Sequence, residues 1–155
     1  MIDATRKTYF SPDDALDQAL LDLVKSATSS IRIADYSFNL IPLVDDLIAK
    51  HEAGVDVKLV LDRSQAGGKT ERLQLNRLEQ AGVPFVEGTS EKHRIMHNKF
   101  CVVDNEWVLA GSYNFTSLAE SENNYFDIEH SPERAQVFLT QWQKLWDWIE
   151  QNEPQ

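Results

Sequence analysis

Cysteine and histidine are scarce in this chain of 155 residues: Cys101 is the one thiol, and the four histidines are scattered. A single thiol cannot close an internal disulfide, and dispersed imidazoles give no zinc-ligand cluster, so neither a disulfide framework nor a structural or catalytic metal is expected. Positive charge is also short, with 15 Lys and Arg against 25 Asp and Glu and a net charge of −10. A surface of that sign does not bind polyanions by bulk attraction, so any phosphate chemistry must rest on a local basic site. No run approaches the roughly 18 apolar residues of a membrane span, and the opening MIDATRKTYF lacks the apolar core of a leader. These absences predict a chain that works away from membranes in a reducing, cytoplasmic setting. A mature periplasmic chain, given an added Met after loss of a signal peptide, would have the same opening.

What is present suffices for a core. Hydrophobic residues make up 42% of the chain, and about 150 residues bury roughly two thirds of the surface the unfolded chain exposes. Residues 1–155 read as one domain without a linker, repeat or low-complexity tract. Ser11-Pro12-Asp13-Asp14 reads as a helix cap, followed at helical spacing by Ala15, Leu16, Ala19, Leu20, Leu23, Val24 and Ala27. A strand over 31–38 follows, then a helix from 41 or 42 to 51, a strand over 55–61, a helix over 69–80 and a short strand over 83–86. This alternation indicates an α/β protein with a mixed, largely parallel sheet flanked by helices. Two apolar runs, 100–103 and 107–110, are split by Asp104-Asn105-Glu106, a hairpin signal. A strand over 125–128 and a last helix, capped by Ser131-Pro132-Glu133 and carrying Trp142 and Trp146, complete the pattern. Those tryptophans, Phe100, Val102 and Cys101 read as packing.

The chemistry gathers in His97-Asn98-Lys99 through Asp104, continued by Gly111-Ser112-Tyr113-Asn114. Residues two apart on a strand share a face, so His97 and Lys99 point together, as do Ser112 and Asn114. A turn between Asn105 and Glu106 would set Lys99 across from Ser112 and His97 across from Asn114. An imidazole, an ammonium, a hydroxyl and a carboxamide would then face one phosphate. Asp104, at the turn, is expected to hold structure by hydrogen bonds rather than to move protons.

These residues resemble the signature of the phospholipase D superfamily, His-x-Lys-x4-Asp-x6-Gly-Ser-x-Asn, with every element and both spacers matched at His97, Lys99, Asp104, Gly111, Ser112 and Asn114. The likeness extends to IADYSF, VKLVLDRSQ and GSYNFTSLAE, and is greatest to the small bacterial endonucleases of the superfamily, which carry one motif per chain. The resemblance implies an α/β/α sandwich and a homodimer whose two His97 share one site. It implies a phosphohistidine on one His97, with the other as acid and then base, and it implies no cofactor. Lys99 and Asn114 would bind the non-bridging oxygens, with help from Ser112 and the amides near Gly111. In the glutamate-bearing Asn-x-Glu-Asn stretch of those nucleases, a gap aligns Glu122 and Asn123, the candidates for orienting the histidine. Without the gap, Tyr125 replaces the glutamate.

The remaining candidates are peripheral. Lys92 and Arg94 flank the motif, and Arg63, Lys69 and Arg72 surround Gly67-Gly68, as a possible rim for a polyanion. Those glycines match no Walker A or dinucleotide fingerprint, and His93 reads as exposed loop. Apolar residues over 111–115, with part of the last helix, are the expected dimer surface. Nucleic acid is the leading substrate. A phospholipid headgroup, cleaved by the same chemistry, and a non-catalytic binding module are the alternatives; no amphipathic membrane-binding stretch is evident.

Overall fold

A computed structural model describes residues 5–155. Its centre is a seven-stranded sheet in the order β1-β7-β6-β5-β2-β3-β4, where β1 is Arg6–Ser11, β2 Ser30–Asp35, β3 Asp56–Asp62, β4 Phe85–Gly88, β5 Lys99–Val103, β6 Trp107–Gly111 and β7 Asn124–His130. Helices α1 (Leu16–Lys25), α2 (Ile41–Glu52) and α4 (Lys69–Gln80) lie between strands, with a short α3 (Arg63–Ala66) and a long terminal α5 (Pro132–Asn152). The sheet is mixed, as expected, but not largely parallel. Only β2/β3 and β3/β4 run parallel, while β1/β7, β2/β5, β5/β6 and β6/β7 are antiparallel. A parallel pair requires a long crossover, which α2 and α4 provide; past β5 the connections shorten and the chain doubles back.

Alternation of side chains across the pleat divides the core in two. Ile31, Ile33, Leu59, Leu61, Cys101, Val103, Leu109 and Phe126 face α1, α2 and α4. Ala34, Val60, Phe100, Val102 and Val108 face α5. Trp142 is buried as expected; its indole Nε1 donates to the Ile33 carbonyl at 2.8 Å, and Trp146 stacks on it with ring centres 5.2 Å apart. No described helix is long and apolar enough to cross a membrane.

The structure revises the start of the chain. Residues 6–11 form an edge strand, mostly exposed, whose RKTYFS pattern gives little apolar alternation. Ser11 therefore caps no helix: its hydroxyl donates to the Glu122 carbonyl at 2.6 Å and accepts from the Asn124 amide at 3.0 Å. The open amides of α1, at Leu16 and Asp17, donate instead to the two carboxylate oxygens of Glu120, each at 3.2 Å. β1 closes onto β7, and the loop before β7 caps the helix that follows β1.

Candidate active site

The strand ends set the site. β2 and β3 finish, β5 begins and β6 finishes at one edge of the sheet, so the segments after β2 and β6 and the segment before β5 meet there. His97 lies just outside β5, held from beneath. The fully buried Asp62 carboxylate, at the end of β3, accepts from the Met96 amide at 2.9 Å and caps α3 through the Gln65 amide at 3.1 Å. His97 is exposed, with its ring edge-on to Tyr36 at 4.7 Å between centres. The Tyr36 hydroxyl is fixed in turn by Gln65 Nε2 at 3.0 Å. Partial burial, and then the Lys99 ammonium, hold His97 below the usual histidine value against the pull of Asp62. The imidazole is thus biased toward its neutral, nucleophilic form.

Lys99 opens β5 and is only 9% exposed. Its Nζ sits 5.4 Å from the centre of the Tyr36 ring and donates to the His97 carbonyl. Burial lowers its pKa, and Asp35, opposite it in the β2/β5 ladder, works against that lowering. Asn114 arrives from the segment after β6. Its side chain accepts from the Ser37 amide at 3.1 Å; because a backbone N–H can only donate, that atom must be the carboxamide oxygen. The other end, Nδ2, is left to donate elsewhere. Tyr36 and Ser37, consecutive residues past β2, thus contact His97, Lys99 and Asn114.

An imidazole, a buried ammonium and an amide donor, all set against Tyr36 and Ser37, are the groups that hold and attack a phosphate. The family described as cardiolipin synthase, PLD-like domain, matches residues 20–146. The chain belongs to the phospholipase D family. Among solved structures it is similar to the phospholipase D family member Nuc of Salmonella typhimurium, at 33% identity and a TM-score of 0.84, over 92% of this chain and 93% of that one. NucT from Helicobacter pylori shares the fold, with a TM-score of 0.78 and 21% identity over 92% of this chain and 96% of that one. Two curated relatives are longer than the match. A Rickettsia bellii phospholipase D is 33% identical over 87% of this chain and 66% of its own length. A mitochondrial cardiolipin hydrolase from Chlamydomonas reinhardtii is 30% identical over 82% of this chain and 56% of its own length. The chain thus spans between half and two thirds of the curated relatives it matches.

Within the phospholipase D signature, the hairpin register departs from expectation by one residue. Phe100 pairs with Ala110 and Val103 with Trp107, because the loop has three residues, with Asp104 and Asn105 both at positive φ and the Glu106 amide bonded to the Val103 carbonyl. Continuing that ladder sets Lys99 opposite Gly111, and a one-residue slip reverses a face. Ser112 accordingly turns to β7, where its hydroxyl donates to Asn124 Oδ1 at 3.0 Å and accepts from the Tyr125 amide at 3.1 Å. Gly111 permits the close approach there: a Cβ would stand 2.2 Å from the Tyr125 carbonyl oxygen. Asp104 lies at the far end of β5. It accepts from the amides of Thr28, Ser29 and Ser30 and from two hydroxyls; burial opposes its charge, but those donors outweigh it and keep its pKa low.

Glu122 accepts from Asn124 Nδ2 at 3.4 Å, Asn123 is exposed beside Ser112, and the strand residue next to Ser112 is Tyr125. Lys92 and Arg94 are exposed on a loop folded about the Ser90 hydroxyl, and His93, also exposed, sets its ring against Trp148 at 5.9 Å. Lys69 is exposed at the start of α4. Arg63 is taken up by the carbonyls of Glu87 and Pro154, and Arg72 by the Glu87 carboxylate at 2.7 Å. Tyr113 and Phe115 are 1% and 0% exposed, so the apolar residues of 111–115 form core within one chain rather than a surface for a second. The sequence reading missed Asp35, Tyr36, Asp62 and Glu71. An available signal was a polar residue ending each of two apolar parallel strands, where ligands gather in open α/β sheets.

Proposed function

We propose that this chain is a phosphodiesterase, independent of metal, that cleaves nucleic acid through a phosphohistidine on His97 at a site shared by two subunits. The observation that carries the reading is the convergence of His97, Lys99 and Asn114 on Tyr36 and Ser37. Neutral His97 attacks phosphorus, an N–P bond forms and a P–O bond breaks. His97 of the partner subunit, protonated, gives its proton to the leaving oxygen. It then takes a proton from the water that attacks the phosphohistidine, freeing the first imidazole. Lys99 and Asn114 Nδ2 stabilise the non-bridging oxygens as their charge redistributes. One histidine cannot be nucleophile and acid together, and the chain has a single motif, so the second comes by symmetry. Ile95, Leu118 and Tyr125, exposed beside the motif strands or the segments that continue them, with Phe10 across from Tyr125, are the surface this dimer would bury. Of the candidate rim cations, Lys69, Lys92 and Arg94 are exposed for a polyanion.

Phospholipid hydrolysis is the second reading, favoured by the relatives named phospholipase D and cardiolipin hydrolase. Both readings are tested by incubating the protein, in EDTA, with single-stranded and duplex DNA, RNA and phosphatidylcholine or cardiolipin vesicles, with His97→Ala as control. Cleavage of nucleic acid that survives chelation and vanishes in His97→Ala is the expected result. Turnover lost in EDTA and restored by magnesium would refute the histidine mechanism, and release of headgroup alone would make the substrate lipid.

A further inference from the structure

Asp35 is fully buried at the end of β2, yet is not spent on an ion pair with ideal contacts. Its Oδ2 accepts from the Phe115 amide at 3.1 Å, while Oδ1 has no hydrogen-bond partner. Phe115 follows Asn114, and its carbonyl takes the amides of Asn39 and Leu40, both at 3.0 Å. The segment that presents Asn114 is therefore tied to β2 at Asp35 and to the segment following β2. Across the sheet, Asp35 stands directly opposite Lys99. The other ionisable groups facing it are Glu71 from α4 and Tyr113 from the segment after β6; burial, with Glu71, raises the Asp35 pKa well above the usual aspartate range, and the Phe115 amide and Lys99 oppose that rise. Lys99 is the cation that faces it, and across the ladder each favours the charged form of the other against the burial that disfavours both.

We infer that Asp35 is a positioning residue for the phosphate site, holding Lys99 as an ammonium from below and fixing the turn that aims Asn114. Its place in the reaction rests on the phosphodiesterase reading above; the coupling between Asp35 and Lys99 does not. Asp35 touches no substrate. It acts through two residues that do, with one oxygen on the Asn114 turn and its charge beneath Lys99.

The two parts separate by substitution. Asp35→Asn keeps an acceptor for the Phe115 amide but removes the charge, whereas Asp35→Ala removes both. Cleavage of a small diester, bis(4-nitrophenyl) phosphate, is followed against pH for the wild type and each variant. In Asp35→Asn, the alkaline limb of kcat/KM should move down by about one pH unit or more, with activity retained on the acid side. Asp35→Ala should lose activity on both sides. An unmoved limb in Asp35→Asn, or Asp35→Ala equal to Asp35→Asn at low pH, overturns the corresponding part. A second measurement depends on neither turnover nor the stability of a variant: NMR titration of 13C-labelled lysine in the wild type, with the Lys99 signal assigned by its absence in Lys99→Arg. Lys99 should remain an ammonium through pH 8; a neutral amine at pH 7 overturns the coupling. A wild type that cleaves no diester, with a charged Lys99, would refute the phosphodiesterase reading and leave the coupling upheld.

Discussion

A carboxylate taken out of water has to find donors or a proton. Glu71 is 4% exposed; its Oε1 accepts from the Phe38 amide at 2.6 Å, and its Oε2 has no partner. Burial pushes its pKa up to about 7, with Asp62 and Glu87 adding to the rise and the Phe38 amide and Arg72 opposing it. The folded state then holds this proton more tightly than the unfolded chain. The stability it confers is full below the ordinary glutamate range and is lost as pH rises through 7. Glu71→Gln, which keeps an acceptor for Phe38, should be more stable than the wild type at pH 8 by about 1–3 kcal/mol and no more stable at pH 5, measured by urea unfolding. At this scale the sequence was legible where spacing carries the information. His97, Lys99 and Asn114 could be named because their motif has fixed intervals. Glu71 could not, since an acid in the first turn of a helix reads as a partner for the helix dipole, and nothing in its neighbours announces that α4 turns it inward beside Asp62.

Helix α1 is an element whose apolar spacing was plain and whose beginning was not. Leu16, Leu20, Leu23 and Val24 are buried as their intervals require, but the groups that satisfy its first amides come from Glu120, brought close only when β7 pairs with β1. A remote cap leaves no local trace, whereas Ser11-Pro12 leaves a misleading one. Glu120→Ala should therefore cost about 1–2 kcal/mol in urea unfolding, and any loss in Ser11→Ala should come from the β1/β7 joint rather than from helix content. The hairpin shows the same limit. Its two apolar runs were evident, yet the difference between a two-residue and a three-residue loop lay in the positive φ of Asp104 and Asn105. Asp104 has a structural reason to be there, since its carboxylate collects the amides ahead of β2.

For the molecule as a whole, the shared-site reading requires that subunits be interdependent. Mixed dimers of wild type and His97→Ala should be nearly inactive, because each site keeps a nucleophile or an acid but never both; half the activity would mean that each chain is complete. Charge sets a second expectation. With Arg63 and Arg72 engaged, Lys69, Lys92 and Arg94 of the candidate rim remain exposed in an acidic protein, so DNA affinity of an inactive variant should fall with salt at a log–log slope of about −3 to −5 for three to six phosphate contacts. A slope near −10 would reveal a broad cationic face instead. The sheet topology also bears on how the chain is made. β2, β3 and β4 assemble from neighbouring segments through their helical crossovers, while β1, which precedes them in the chain, has β7 as its neighbour in the sheet. Contacts of such long separation are slow to form. During synthesis β1 must wait, unpaired, until β7 has left the ribosome, and over that interval the nascent chain carries an open strand whose Arg6 and Lys7 discourage pairing with strangers.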